Sequence, residues 1–356
     1  MLRTIMQKGL TSAPLSTIAV GHENNLALIR LICAFGVIVS HSYALIGGIN
    51  HSEKDLLSTI TSDSLGYGAF AVGVFFLFGG YLIAGSAERS KTFTSFIKKR
   101  ILRIIPELTF LVLMLAFVIG PLASSLPPAQ YFTNPSLPVF LLNIALIPVH
   151  CLPGLFNSNP YPNVVDGSLW TLPVEFSCYL LVFLSFKLTH FDRNKYLKLS
   201  APIALLVLIY FIILYPYQIS VVRPVLLYWI GTTAYVFKDS IHIPKPLALG
   251  SFFVFCISLP IGWSDATMLA CFPIFMAWLA FSVKASKASL LLNKLELSYG
   301  VYLWGWPVGQ LAVLLHPNIS VEVLALTTII FSLIMGFMGQ ILASNLVNTI
   351  QRKQAN

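Results

Sequence analysis

The chain has 356 residues, of which 57% are hydrophobic and only 10% are charged. Soluble domains carry about 25% charged residues, so this composition excludes an ordinary soluble globule and indicates a membrane protein. The net charge of +9 does not indicate a nucleic-acid partner, because the basic residues fall in short segments between apolar stretches.

The N-terminal residues 1–25 are polar and contain no apolar stretch of the kind that a signal peptide requires. We therefore predict a cytoplasmic N-terminal segment, followed by a first apolar helix that stays in the membrane. The five cysteines show neither CxxC spacing nor a Cys/His cluster, so the sequence predicts no disulfide framework and no metal site.

Ten apolar stretches approach the roughly 17–25 residues that a membrane-spanning helix needs. They lie at 26–47, 66–87, 106–123, 172–189, 200–216, 221–238, 246–262, 266–283, 297–315 and 321–347. A further stretch at 137–149 is too short to span and suits a re-entrant or interfacial segment. The sequence thus predicts an all-α, polytopic membrane helical bundle of about ten transmembrane helices. Its membrane domain covers 26–347, and 348–356 form a cytoplasmic tail.

The distribution of basic residues orients these helices. Residues 88–105 carry six Lys or Arg residues, whereas residues 124–171 carry none. Cytoplasmic loops are enriched in Lys and Arg, so we place 88–105 and both termini in the cytoplasm and 124–171 outside. If 137–149 crossed the membrane, most of the later basic loops would face outward, which this rule disfavours.

The first predicted helix carries two ionisable residues, Arg30 and His41, among apolar neighbours. An Arg inside a membrane helix costs about 2.5–3.5 kcal/mol on insertion scales, so ionisable residues there are functional candidates. The two are eleven residues apart, which places them about 16 Å apart along the axis and on nearly the same side. Arg30 then lies near the cytosolic surface and His41 toward the outer third. The simpler alternatives are that Arg30 only reaches the headgroups and that His41 makes a structural hydrogen bond.

Glu175 lies a few residues into the fourth predicted helix, which runs inward, so we expect it near the depth of His41. A carboxylate beside an imidazole holds its tautomer and raises its basicity. The alternative is that Glu175 bonds backbone groups at the start of the helix. A basic cluster precedes the third predicted span and either sets the topology or binds phosphates. It consists of Lys99, Arg100 and Arg103, and Glu107 beside it is given no role.

Several segments, taken in order, resemble the acyltransferase family 3 membrane proteins, which O-acylate lipopolysaccharide and other surface glycans. They are Arg30 with His41, Val72–Ile83, the basic cluster Lys99, Arg100 and Arg103, Ser168–Glu175, and Ser298–Pro307. The family often has an acidic residue at Gly73, a serine at Gly79 and a histidine at Gly305, where this chain has glycine.

The resemblance implies a multi-pass enzyme of the cell inner or plasma membrane. Its donor would be acetyl-CoA or another acyl-CoA from the cytosol, and its acceptor a hydroxyl group of a surface or lipid-linked glycan. His41 would act as general base with Glu175 orienting it, and Trp170 would contact the substrate; a covalent acyl-histidine stays open. The donor phosphates would meet four basic residues: Arg30, Lys99, Arg100 and Arg103.

A polytopic transporter or flippase of a lipid-linked sugar is the competing interpretation. Buried ionisable residues also mark substrate paths in transporters, so the helices and the charges fit both classes. The ordered segments favour the acyltransferase.

Overall fold

The computed structural model of the protein describes residues 12–19, 21, 23–214 and 219–355. Over these ranges the chain is helical and contains no β-strand, only isolated bridges such as Ser124 with Leu155. The prediction of an all-α chain is therefore confirmed. Much of the predicted N-terminal segment 1–25 and the end of the predicted span 200–216 lie outside the described residues.

Each of the ten predicted apolar stretches is helical over most of its length. The helices of seven or more residues are α1 Leu26–Gly47, α2 Tyr67–Glu88, α3 Phe93–Met114, α4 Thr171–Thr189, α5 Arg193–Leu214, α6 Ile219–Val236, α7 Lys245–Ser258, α8 Ser264–Ala270, α9 Phe272–Phe281, α10 Lys287–Leu295, α11 Ser298–Leu315 and α12 Val321–Ala355. The short stretch near 137–149 forms an α-helical turn, Ser136–Phe140, that continues as the 3-10 segment Leu141–Ala145.

Length and apolarity mark this chain as a membrane protein. Five helical segments of the described chain are long and apolar enough to cross a membrane: Leu26–Asn50, Tyr67–Glu88, Phe93–Ala123, Thr171–Thr189 and Val321–Thr349. A sixth is added if α8 and α9, which meet at a bend of 46°, form one span. The count of ten spans and the cytoplasmic placement of the termini remain predictions.

The third apolar helix begins earlier than the sequence predicted. The predicted span started at residue 106, after a basic loop, but α3 starts at Phe93 and carries Lys99, Arg100 and Arg103 on its first turns. Lys and Arg are good helix formers, so nothing in this basic stretch ends a helix. Pro106 is accommodated inside α3. The last helix also runs further than predicted, to Ala355.

The chain divides into two compact units. Unit 1 comprises Met1–Cys33, Leu56–Phe96 and Val174–Leu295, and unit 2 comprises Ala34–Asp55, Ile97–Pro173 and Glu296–Asn356. Helices α1, α3 and α4 each contribute residues to both units.

In unit 1, α2 packs against α6 with their backbones in contact. A Cβ atom on Gly80 would overlap the carbonyl oxygen of Tyr228, and one on Gly231 would overlap the carbonyl oxygen of Leu77. Small residues permit this close approach, which is common between membrane helices that lack a hydrophobic driving force for association.

Unit 2 has a similar crossing between α11 and α12. A Cβ atom on Gly300 would lie 2.6 Å from the Cα atom of Gly336 and 3.0 Å from Oε2 of Glu107. The carboxylate of Glu107, on α3, therefore sits beside this crossing and is buried. The crossing fixes which residues of α11 and α12 face each other.

Candidate active site

His41 lies on the part of α1 that belongs to unit 2, one helical turn before Leu45. Its ring is half-buried and meets the ring of Trp306 edge-on, at 4.9 Å between centroids and an angle of 77°. The Nδ1 atom of His41 is buried and has no hydrogen-bond partner among the described residues. The imidazole is thus held by packing, with one ring nitrogen uncommitted.

Trp306 is fixed in turn by the segment that precedes α4. Its Nε1 donates a hydrogen bond to the carbonyl of Val164 at 3.0 Å, and its ring meets that of Tyr161 at 5.1 Å. A Cβ atom on Gly167 would lie 3.0 Å from the Trp306 ring. Glycine at this position therefore lets the backbone approach the face of the ring.

One turn further along α11, the amide of Gln310 anchors the same segment. Its Nε2 donates to the carbonyls of Tyr161 and Val164, both at 2.8 Å. Its Oε1 accepts a hydrogen bond from Nδ2 of Asn159 at 2.7 Å. Gln310 and Asn159 are both buried, so this small polar network is closed and binds the segment firmly to α11.

The residues around Trp170 are held by a second polar group. Oδ1 of Asp166 accepts hydrogen bonds from the amide of Ser168 at 2.8 Å and from its hydroxyl at 2.7 Å. The hydroxyl of Tyr302, on α11, donates to the carbonyl of Ser168 at 3.1 Å and pairs with that of Thr171 at 2.8 Å. The half-buried Trp170 lies in the chain between Ser168 and Thr171, which are both held in this way.

Asp166 is wholly buried in the non-helical segment before α4. Burial raises the pKa of its carboxyl group from 3.8 to about 7, although the hydrogen bonds from Ser168 oppose that rise. Its second oxygen, Oδ2, has no partner among the described residues. A protonated carboxyl group suits this environment because the neutral form avoids the desolvation cost of a charge.

The basic cluster Lys99, Arg100 and Arg103 also belongs to unit 2. Lys99 is exposed and Arg100 half-buried. The guanidinium of Arg103 lies 3.5 Å from the carboxylate of Glu107 and 3.4 Å from that of Glu296. It also lies over the ring of Tyr299, at 5.5 Å from the centroid. Arg103 thus has two carboxylates and an aromatic ring among its neighbours.

The two remaining predicted site residues belong to unit 1. Arg30 lies on α1 with its guanidinium 5.7 Å from the centroid of the Phe75 ring. Glu175 lies on the first turns of α4 and accepts a hydrogen bond of 2.5 Å from the hydroxyl of Tyr179. This hydrogen bond joins two side chains one turn apart on α4. The predicted roles of Arg30 and Glu175 stay predictions.

A family model described as an acyltransferase domain matches residues 23–344, which is most of the chain. The chain belongs to the acyltransferase 3 family. The acyltransferase is 27% identical to a protein of Shigella phage Sf6 named O-acetyl transferase, over 80% of this chain and 84% of that protein. It is also 35% identical to Nodulation protein 10 of Rhizobium leguminosarum bv. viciae, over 45% of this chain and 43% of that protein. No solved structure matches it.

Membership confirms the predicted resemblance and the prediction that this protein is an enzyme that transfers acyl groups. It also fits the way unit 2 brings separate motif segments together. His41 meets Trp306, and the segment of Trp170 is anchored to Tyr302. The motif segments that contain His41, Ser168–Glu175 and Ser298–Pro307 therefore meet.

Sequence reasoning assigned no site role to several residues that build this site of the acyltransferase, although Tyr302 and Trp306 lie in the motif segment Ser298–Pro307. Tyr302, Trp306 and Gln310 are spaced four apart, so they share one face of α11. The amide of Gln310 on the aromatic face of an apolar helix was a signal that could have indicated its role. Nothing in the local sequence distinguishes Asp166 from an ordinary loop residue.

Unit 1 holds a further buried charge whose partner was not predicted. The guanidinium of Arg223, on α6, lies 2.5 Å from the carboxylate of Asp265 on α8 and donates to the carbonyl of Ser64 at 2.6 Å. A buried charge needs such a partner, and this ion pair supplies it.

Proposed function

We propose that the acyltransferase is an O-acetyltransferase of the cell membrane that moves an acetyl or other short acyl group from cytosolic acyl-CoA to a hydroxyl of a surface or lipid-linked glycan. The name of the phage relative supports the O-acetyl chemistry. The glycan acceptor and the acyl-CoA donor rest on the family resemblance.

His41 is the general base in this proposal. The observation that carries it is an uncommitted, buried Nδ1 on a ring that packs against Trp306. The imidazole takes the proton of the acceptor hydroxyl while the hydroxyl oxygen attacks the thioester carbonyl carbon. The carbon–sulfur bond then breaks, and the imidazolium returns the proton to the leaving thiolate. An ester and free CoA result.

The protein has ten spans with both termini in the cytoplasm. The donor enters from the cytosolic side. Its phosphates are bound by Arg30, Lys99, Arg100 and Arg103, where they compete with the carboxylates near Arg103. Glu175 is a second required residue, whose carboxylate supports the charge of the imidazolium. Trp170 contacts the acceptor or the donor from its anchored turn.

The test is transfer of radiolabelled acetyl groups from acetyl-CoA to a glycan acceptor by the purified, reconstituted acyltransferase. We expect transfer by the wild type and a loss of about 10²–10⁴-fold in kcat for His41→Ala, which is the usual contribution of a general base. Glu175→Gln keeps the side-chain shape and should also lose most activity.

A matched control is His316→Ala, because His316 is exposed at the end of α11 and takes no part in the site. His316→Ala should retain wild-type turnover. Turnover of His41→Ala within twofold of wild type contradicts the assignment of the base. Movement of a lipid-linked sugar without acylation favours the flippase instead.

A further inference from the structure

Unit 2 contains two buried hydroxyl groups on α12 that form no hydrogen bond with the part of the chain that the structure describes. Thr328 and Ser332 of α12 are 1% and 0% exposed. Neither Oγ1 of Thr328 nor Oγ of Ser332 has a hydrogen-bond partner among the described residues. Together with Nδ1 of His41, they are polar atoms that the packing buries but does not satisfy.

Such hydroxyls usually avoid this situation in helices by bonding a carbonyl of the preceding turn. Ser42 donates to the carbonyl of Ile38 at 2.9 Å, and Thr349 on α12 donates to that of Asn345 at 2.8 Å. Thr328 and Ser332 do not use this option. Burying a hydroxyl without a partner lowers stability, so two such hydroxyls on one helix point to a ligand.

The level of His41 along α11 follows from the contacts of its neighbours on α1. A Cβ atom on Gly305 would lie 2.8 Å from the Ile38 side chain, and one on Gly309 would lie 2.6 Å from that of Leu45. His41 stands between Ile38 and Leu45 on the same face of α1. It is therefore level with the turn between Gly305 and Gly309, as its contact with Trp306 requires.

The two hydroxyls lie at the same level. Oγ1 of Thr328 is 3.6 Å from the Cβ position of Gly309, the position that Leu45 also reaches. Gly336 contacts Gly300, so α12 runs antiparallel to α11 with residues 328, 332 and 336 on the facing side. Ser332, one turn or about 6 Å from Thr328, is then level with the turn around Gly305. Thr328 and Ser332 bracket the level of His41.

We infer that Thr328 and Ser332 donate hydrogen bonds to the carbonyl oxygen of the acyl group during transfer. This inference rests on the proposed function. When the acceptor oxygen attacks the carbonyl carbon, the electrons of the C=O double bond move to its oxygen, and the hydroxyls stabilise that negative charge. The double bond re-forms as the thiolate leaves and takes the proton from His41. Fixed donors aimed at a developing oxyanion act mainly on the transition state.

The test compares Thr328→Val, which removes the hydroxyl at nearly constant volume, with Thr328→Ser, which keeps it. Thr328→Val should lower kcat by about 10²-fold, the usual effect of removing one such donor, with little change in KM for acyl-CoA. Thr328→Ser should restore most of the activity. Ser332→Ala should lower kcat in the same direction and provides a second, independent variant.

Thermal unfolding in detergent separates this role from a structural one. Because the hydroxyl of Thr328 has no hydrogen-bond partner in the described ranges, Thr328→Val should unfold at the same temperature as wild type or higher. Ser344→Ala is the control, because Ser344 is exposed on α12 and its hydroxyl bonds the carbonyl of Ile341 at 2.9 Å. It should change neither kcat nor the unfolding temperature.

The outcomes separate this inference from the proposed function. If the wild type transfers acetyl groups and both Thr328→Val and Ser332→Ala keep kcat within twofold, the two hydroxyls are not donors. A lower unfolding temperature for Thr328→Val, with Thr328→Ser no more active, shows a packing role and overturns the inference. If the wild type transfers nothing from acetyl-CoA, the proposed function itself fails.

Discussion

Buried ionisable side chains of this acyltransferase are satisfied to different degrees. Arg223 and Asp265 form a close ion pair in unit 1 and so share their desolvation cost. Asp166 in unit 2 receives two hydrogen bonds from Ser168 on one oxygen, while its other oxygen has no partner among the described residues. An acid whose pKa is raised by burial makes the stability of the fold depend on pH.

The stability of the acyltransferase should fall as pH rises between about 4 and 7 through Asp166. Burial raises the pKa of its carboxyl group from 3.8 to about 7, so over this range the folded chain keeps a proton that the unfolded chain has lost. The contribution is fully present below the unfolded pKa and is lost as pH rises through the folded pKa. Thermal unfolding in detergent at pH 5 and pH 8 measures it.

Asp166→Asn is the control for this prediction, because its amide oxygen still accepts from Ser168 but no proton is exchanged. The variant should show a smaller decrease in unfolding temperature between the two pH values than the wild type does. Equal decreases in both proteins would mean that Asp166 is already ionised when folded.

At the scale of helices, close crossings depend on glycine. Gly80 and Gly231 bring the backbones of α2 and α6 together in unit 1, and Gly300 with Gly336 does the same for α11 and α12 in unit 2. The second crossing also sets the level of Thr328 and Ser332 against α11. Helix contacts therefore position polar side chains that lie several turns from the crossing itself.

Gly231→Ala should destabilise unit 1 even though alanine favours helix formation. Its Cβ atom would overlap the carbonyl oxygen of Leu77, which is rigid backbone, and overpacking of this kind costs about 1–3 kcal/mol or more. We expect a lower unfolding temperature in detergent.

Gly250→Ala on α7 is the matched control, because a Cβ atom there meets nothing within 4 Å. Only the helix propensity changes, so stability should rise by up to about 1 kcal/mol. If both variants shifted the unfolding temperature in the same direction, the crossing of α2 and α6 would not be the cause.

At the scale of the whole molecule, the orientation in the membrane is the main prediction still open. The segment 124–171 carries no Lys or Arg, and it holds Asp166 and Trp170 beside α11. An outward position would present this anchored segment to an acceptor outside the cell. Cys151 is exposed within it and offers a native reporter.

An impermeant maleimide should label Cys151 in intact cells, because the positive-inside rule places 124–171 outside. Cys151→Ser removes this reporter and measures any reaction of the other four cysteines. In that background, Ala288→Cys tests the opposite face, since Ala288 is exposed on α10 beside basic residues. It should react only after the membrane is opened. Protection of Cys151 together with labelling at position 288 in intact cells would show that the orientation is the reverse of the predicted one.

The sequence by itself determined the features that depend on local composition. Long apolar stretches form helices because a chain in lipid must satisfy its backbone hydrogen bonds within each segment. Arg30, His41 and Glu175 were recognisable because an ionisable residue is costly anywhere in an apolar helix. The acyltransferase family followed from the order of the motif segments. The start of α3 was predicted too late because Lys99, Arg100 and Arg103 are compatible with both a loop and a helix.

Only the tertiary structure decided which side chains meet. The contact of His41 with Trp306, the anchoring of the Trp170 turn by Tyr302, and the pairing of Arg223 with Asp265 each join residues far apart in the chain. Thr328 and Ser332 look like ordinary small residues of a membrane helix. They become candidates only because the packing buries their hydroxyls at the level of His41, with no hydrogen-bond partner among the residues that the structure describes. Local sequence sets the cost of a polar side chain, whereas packing between distant helices decides whether that cost is relieved.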